Sequence, residues 1–161
     1  MRPARPQVST FHVRAATRDD VGFLTDCARQ AYSVYVAAIG REPAPMTFDF
    51  AARIGRDTIE VIEADGRLCG YMVWRLREDC LFLDSIAIAD HARGQGLARA
   101  AFDHLERVAR AAGRPAIELY TNVAMRPNLT LYPHLGFVRT GLRNEDGFER
   151  VYFRKELDPV R

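Results

Sequence analysis

The run from Ile86 to Leu105 reads IAIADHARGQGLARAAFDHL, and its order of residue types decides the fold class. It opens inside a longer apolar stretch, Cys80–Ala89, whose near-continuous hydrophobicity is that of a strand buried on both faces. A turn with glycines at positions 94 and 96 follows. Beyond it, Leu97, Ala101, Leu105, Val108 and Ala112 recur at helical spacing, with Arg99, Asp103, Glu106, Arg107 and Arg110 on the opposite face and Gly113 at the end. Buried strand, glycine turn and amphipathic helix in succession make an α/β unit. Where such a turn feeds a helix, free backbone N–H groups sit at the positive end of the helix dipole, a site for an anion. Glycine leaves no Cβ between that backbone and a phosphate, so the expected anion is a phosphate or pyrophosphate.

Two common phosphate motifs do not fit. A P-loop needs Gly-x-x-x-x-Gly-Lys-Ser/Thr, which the sequence lacks, and the dinucleotide fingerprint Gly-x-Gly-x-x-Gly/Ala meets Arg99 at its third position. The segment also lies in mid-chain behind a predicted hairpin, not in the first of several βαβ units.

Upstream, Phe11–Ala16 alternates as a strand, and Thr17 can cap a helix that starts near Asp19. That helix carries Phe23, Leu24, Cys27, Ala31 and Val34 at helical spacing and stops near Gly40. Gly40–Pro45 is an irregular loop, and Met46–Ile54 a second, short helix. Thr58–Ala64 and Leu68–Leu76 are strands joined across Asp65-Gly66, a strong hairpin signal. Downstream, Ala116–Thr121 reads as a strand, Arg126–Leu135 as a short helix, and Phe137–Arg143 with Phe148–Glu156 as a hairpin turned around Glu145-Asp146-Gly147. The order is β-α-α-β-β-β-α-β-α-β-β. This is a mixed α/β fold with a mostly antiparallel central sheet flanked by helices.

With 161 residues, 48% of them hydrophobic and 27% charged, the chain suits one globular domain over 1–161, with a loose N-terminal tail at 1–9. A net charge of +2, with cations and acids interleaved, argues against a nucleic-acid partner. No apolar run approaches the ~18 residues of a membrane span, and no signal-peptide pattern opens the sequence. Three cysteines, Cys27, Cys69 and Cys80, have no metal-ligand spacing and read as small buried hydrophobes. A cytoplasmic location is the expectation. His12, His91 and His104 are spaced wrongly for a metal site, so none is expected.

Arg93-Gly94-Gln95-Gly96-Leu97-Ala98 resembles the Arg/Gln-x-x-Gly-x-Gly/Ala signature of the GNAT superfamily, the acetyl-CoA-dependent N-acetyltransferases. The preceding strand LFLDSIAI, the amphipathic helix after it, the segment Leu131–Phe137 (LYPHLGF) and the element order are similar to the family over about residues 11–157. The resemblance implies that the backbone of Arg93, Gly94, Gln95, Gly96, Leu97 and Ala98 holds the pyrophosphate of coenzyme A. It implies that Ile86 and Ile88 pair by backbone with the pantetheine arm, one N–H polarising the thioester carbonyl. Tyr132 falls on the family's tyrosine before Gly-Phe, which protonates the departing thiolate. Two positions depart from the family: Asp90 stands where proline is frequent, and Met125 where asparagine is frequent. Asn128, or Asn122, is the substitute candidate for the missing pantetheine contact. A homodimer is an expectation of the resemblance alone.

Acyl transfer to an amine requires amine deprotonation, oxyanion stabilisation, thiolate departure and held reactants. Thiolate leaves readily, so direct attack in a ternary complex is favoured over a cysteine-linked route. Asp84 interrupts an apolar strand and by alternation shares a face with Ile86 and Ile88. It is a candidate general base, with substrate anchoring and a structural role equally open. The acceptor amine, on a small molecule or a peptide, is expected over the first two helices and their loop, near Tyr32, Tyr35, Arg41, Glu42 and Met46. Alternatives are a non-catalytic acyl-CoA-binding module on the same fold and a transferase of a longer acyl group.

Overall fold

The computed structural model describes residues 11–159. The tail expected at residues 1–9 lies outside the described residues. Seven strands form one sheet in the order β1-β2-β3-β4-β5-β7-β6. In chain order they are β1 (Phe11–Ala15), β2 (Thr58–Ala64), β3 (Arg67–Leu76), β4 (Leu81–Ile88), β5 (Ala116–Asn122), β6 (Val138–Glu145) and β7 (Phe148–Glu156). The helices are α1 (Val21–Tyr32), α2 (Val36–Ile39), α3 (Phe50–Arg53), α4 (Leu97–Ala111) and α5 (Arg126–His134). Every neighbouring pair is antiparallel except β4 and β5, so the mixed, mostly antiparallel sheet expected from the sequence is the sheet observed.

Local chemistry explains the hairpins and the main helix. The β2–β3 and β6–β7 turns place Asp65 and Asp146 at φ of 52°, the left-handed conformation that Asp tolerates ahead of glycine. Helix α4 buries Leu97, Ala101, Phe102, Leu105 and Ala109 against the sheet. There Ala101, Phe102, Leu105 and Ala109 join Ile62, Met72, Leu83, Leu119, Val151 and Phe153 in the largest of three core clusters among the described residues, while Leu97 packs with Ala64, Cys69 and Ala92 in the smallest. On the other face α1 packs Leu24, Cys27 and Ala28 with Phe50, Val61, Tyr71, Val73 and Ala87.

The two N-terminal helices are less regular than their spacing predicts. A single-turn 3₁₀ segment, Ser33–Tyr35, separates α1 from α2, and Val34, expected on the buried stripe, is 71% exposed. The second predicted helix, Met46–Ile54, is broken in two. A 3₁₀ turn over Ala44–Thr47 ends at an extended Phe48, and Asp49 then starts α3 by accepting the Ala52 N–H at 3.1 Å. Asp at such a position caps a new helix better than it continues an old one. Among the described residues no helix is long and apolar enough to cross a membrane.

Candidate active site

One extra residue in β4 creates the site. Pairing with β3 runs Val73↔Ser85 and then Trp74↔Leu83, so Asp84 has no partner and forms a β-bulge. A bulge bends its strand and increases the local twist. At this same point the parallel pairing with β5 stops: it covers only Leu81↔Ile117, Phe82↔Glu118 and Leu83↔Leu119. Beyond Leu83 the strands diverge, and the sheet opens into a cleft between them.

The bulge also changes which way the side chains point, which corrects the alternation argument. Leu83, Ile86 and Ile88 pack on the α4 face, whereas Ala87 and Ala89 pack on the α1 face. Asp84 does not share a face with Ile86 and Ile88. It lies on the α1 and α3 side, where its Oδ2 meets Arg53 at 3.0 Å and Arg75 at 3.7 Å and its Oδ1 accepts the Tyr120 hydroxyl at 3.0 Å. Ser85, next in sequence, is buried and bonded to the Tyr71 hydroxyl at 2.8 Å and the Tyr32 hydroxyl at 3.3 Å.

Backbone geometry supplies donors along the cleft. Ala89 N–H bonds Cys69 O at 2.7 Å, and Ala87 is the next residue along β4 to face β3 with its backbone. The antiparallel alternation of bonded and non-bonded pairs then turns the amides and carbonyls of Ile86 and Ile88 away from β3, toward the cleft. The Ile86 carbonyl is met there by the Tyr32 hydroxyl at 3.0 Å. The two amides keep the donor capacity that β5 takes up lower in the strand.

At the end of β4 the chain turns through Asp90–Ala92 and reaches the glycine segment. Gly94 and Gly96 both have φ of 78°, and a Cβ at either would meet nothing within 4 Å. Glycine is needed here for its left-handed backbone, not for space. Gly96 caps α4 without a side-chain hydrogen bond. Among the described backbone hydrogen bonds, the first N–H after Arg93 to find an acceptor is that of Ala100, on Gly96 O at 3.1 Å. Gly94, Gln95, Gly96, Leu97, Ala98 and Arg99 thus present a run of open amides at the N-terminus of a 15-residue helix. Arg93 is half-exposed beside them and pairs with Asp90 at 3.2 Å.

Two cavities meet at the cleft. The first lies on the α4 and α5 side, between Ile86–Ile88, Arg93, Ala98, Phe102 and Tyr132. The second reaches through the sheet to Asp84, Tyr120, Phe148 and Arg150, under the loop at Pro43–Pro45. Tyr32, Ile86, Asn128 and Tyr132 line both. Tyr132 is only 6% exposed, with its ring set among Phe102, Phe137 and Phe153 at centroid distances of 5.6–6.0 Å. Its hydroxyl has no hydrogen-bond partner among the described residues, and no buried side-chain polar atom is left unsatisfied, so the oxygen reaches the cavity surface. Burial, helped by the nearby Tyr32 and Tyr35, pushes this phenol well above the ordinary range and keeps it protonated. Asn128 donates to Thr121 at 3.1 Å, and Asn122 accepts from Ala124 N–H.

Of the acceptor-side residues named from sequence, Tyr32 and Tyr35 reach the cavities, Met46 is in the core and Glu42 is exposed. Arg41 instead clamps the β6–β7 turn, stacked on Phe148 at 3.5 Å and donating to the Asp146 carbonyl. Sequence reasoning missed Tyr120 and Arg150. Tyr120 was readable in principle, since alternation in β5 sets it opposite the buried Leu119. The one described group with metal-ligand proximity is Asp79, Cys80 and Glu118, and there Arg154 already sits 3.3 Å from both carboxylates.

Residues 24–137 match the family model described as the acetyltransferase (GNAT) family. No match to curated proteins was found. Solved structures give broad likeness. A GCN5-related N-acetyltransferase from Rhodopseudomonas palustris shares 16% identity over 96% of this chain and 100% of its own, with a TM-score of 0.76. PaiA N-acetyltransferase from Thermoplasma acidophilum, solved in complex with coenzyme A, shares 15% over 92% and 99%, with a TM-score of 0.75. The ribosomal-protein-S18-alanine N-acetyltransferase of Escherichia coli shares 19% over 94% and 97%, with a TM-score of 0.73. At these identities the likeness is one of fold.

Proposed function

Because the chain belongs to the GNAT acetyltransferase family and is an acyltransferase, we propose that it moves an acetyl group from acetyl-CoA to an amine of a small molecule or peptide by direct attack in a ternary complex. The observation that carries this reading is the coincidence of the cleft at Leu83 with the open amides of residues 94–99 at its mouth. Acetyl-CoA supplies an activated carbonyl and a thiolate leaving group. The residues fit it: a helix N-terminus with left-handed glycines suits a pyrophosphate, and a strand with unpaired amides suits an amide-bearing arm.

In this reading Gly94–Ala98 bind the phosphates and Arg93 adds charge. Ile86 and Ile88 offer backbone N–H groups along the cleft, one of them aimed at the oxygen that gains negative charge during attack. Tyr132, kept protonated by burial, is the proton donor to the departing sulfur. Asn128 borders both cavities, where its side chain can meet the pantetheine arm, and it is held by its bond to Thr121. Asp84 already accepts from Arg53 and the Tyr120 hydroxyl and lies 3.7 Å from Arg75, so it works through its neighbour. The Tyr120 hydroxyl takes the amine proton as its own passes to Asp84 Oδ1. The free thiols of Cys27, Cys69 and Cys80 support a reducing, cytoplasmic setting.

The direct experiment is thiol release from acetyl-CoA across a panel of amines, with acetylated product identified by mass. Release that depends on an amine supports the proposal, and release only at the rate of spontaneous hydrolysis across a broad panel refutes it.

A further inference from the structure

The walls of the acceptor-side cavity carry opposite charges one tyrosine apart. Tyr120 is the spacer: its hydroxyl donates to Asp84 at 3.0 Å, and the Arg150 guanidinium lies 4.4 Å from its ring centroid. The two charges differ in their surroundings. Asp84 is compensated by Arg53 and Arg75. Among the described residues Arg150 has no carboxylate within salt-bridge distance. Its cross-strand neighbours are Asn122 on β5 and Arg143 on β6. Arg143 in turn lies over Tyr152 at 4.2 Å and likewise has no carboxylate partner among the described residues. Two guanidiniums set directly opposite each other on adjacent strands repel. Nearby, Glu145 is held by the Tyr152 hydroxyl. Arg150 is half-buried at the cavity wall, where a bidentate contact with a carboxylate is stronger than in open water.

Resting on the acetyl-transfer reading, we infer that the acceptor is a zwitterionic amine, an amino acid or similar compound, whose carboxylate is held by Arg150 while its amine lies toward Asp84 and Tyr120. Arg143 adds positive potential from the next strand. An amine without an anion leaves Arg150 uncompensated beside the ligand, and a polyamine adds repulsion.

The test compares free amino acids with their C-terminal amides, with kcat/KM expressed per free-base amine because the amide's amine is the less basic, so that the anion is the difference read. Each of the twenty is assayed as acid and amide for kcat/KM with acetyl-CoA, and β-alanine is compared with 2-aminoethylphosphonate to distinguish carboxylate from phosphonate. For the preferred side chain the acid should exceed the amide by at least tenfold. In Arg150→Gln the acid-to-amide ratio should fall about 10- to 100-fold, the usual yield of a charge-assisted hydrogen bond. Arg150→Lys should recover part of it. Amides used as well as acids, or a ratio that Arg150→Gln leaves unchanged, overturns the inference while acetyl transfer stands. If no amine releases thiol, the transfer reading fails, and titration of the acid and amide pairs into the coenzyme A complex tests the anion site alone. Tighter acid binding that Arg150→Gln abolishes then supports the site, and equal binding overturns it.

Discussion

Replacing Tyr132 with phenylalanine separates the chemistry of this residue from its packing. The ring makes three aromatic contacts, to Phe102, Phe137 and Phe153, and phenylalanine keeps all three. The lost oxygen has no partner among the described residues, so no buried group is orphaned, and stability should stay within about 1 kcal/mol. For a chain of this length that is a shift of only about 2–4 °C in Tm. Alanine would be a poor probe, since emptying an aromatic site costs about 3–5 kcal/mol. A positioned general acid contributes about 10²- to 10⁴-fold, or roughly 2.7–5.5 kcal/mol of transition-state stabilisation. The loss should fall on kcat in single-turnover thiol release, with acetyl-CoA affinity unchanged, because the glycine segment and β4 are untouched. The pH profile gives a second reading. Burial holds this phenol above the assay range, so the wild type should show no alkaline decline assignable to Tyr132 below about pH 10. A phenylalanine variant with the wild-type rate of the chemical step would refute the assignment and reduce Tyr132 to a packing residue.

Three further outcomes are expected. Gly70→Ala would bring a Cβ within 2.5 Å of the Ala87 carbonyl and 3.0 Å of Ile88 Cδ1, forcing β3 from β4; denaturant titration should show a loss of about 1–3 kcal/mol, with weaker acetyl-CoA binding because Ile88 shifts. Arg14 grips Asp20 through two hydrogen bonds, at 2.8 and 2.9 Å, and lowers its carboxyl from 3.8 to about 2. That stabilisation, about 2 kcal/mol, is complete above the unfolded value and disappears as pH falls through the folded one. Asp20→Asn should therefore lower Tm by about 4–8 °C at pH 7 and hardly at all near pH 2, and an equal loss at both would exclude the charge pair as its source. Burial raises Cys69 and pushes Cys27 and Cys80 up to about 12, Cys80 with help from Glu118. Mass spectrometry after incubation with acetyl-CoA alone should find no acetylated cysteine, and a turnover-competent thioester on any of the three would exclude direct attack.

The parts of the fold that follow from period and turn chemistry were legible in the sequence. Helix α4 carries a long 3.6-residue repeat, and the Asp-Gly pairs at 65–66 and 146–147 each sit where a hairpin turns. The glycine segment was legible because its residue types are demanded by backbone conformation. Other features lack a local signature. Ser33–Tyr35 tightens the first helix although Val34 fits its apolar stripe, since packing rather than propensity decides a short segment. The bulge at Asp84 is a property of pairing between strands, so alternation within β4 alone gave the wrong face. Arg150 is one of many arginines along the chain, and only the fold shows that it reaches the cavity with no carboxylate partner among the described residues.

The bulge connects fold and site more tightly than any other feature. A strand in perfect register through Ile88 would keep pairing with β5, its amides would be spent on the ladder, and no cleft would exist. One unpaired residue bends the strand and frees the amides of Ile86 and Ile88. It leaves Asp84 on the α1 side while returning both isoleucines to the α4 side. The glycine turn and the charges of Asp84 and Arg150 are thus delivered to opposite faces of one sheet, with an opening between them. Ser85 and its two tyrosines make this arrangement durable, because they satisfy a buried hydroxyl where the ladder is interrupted. In the acyl-transfer reading the register slip places the reactants, and Tyr132 acts on them where it has placed them.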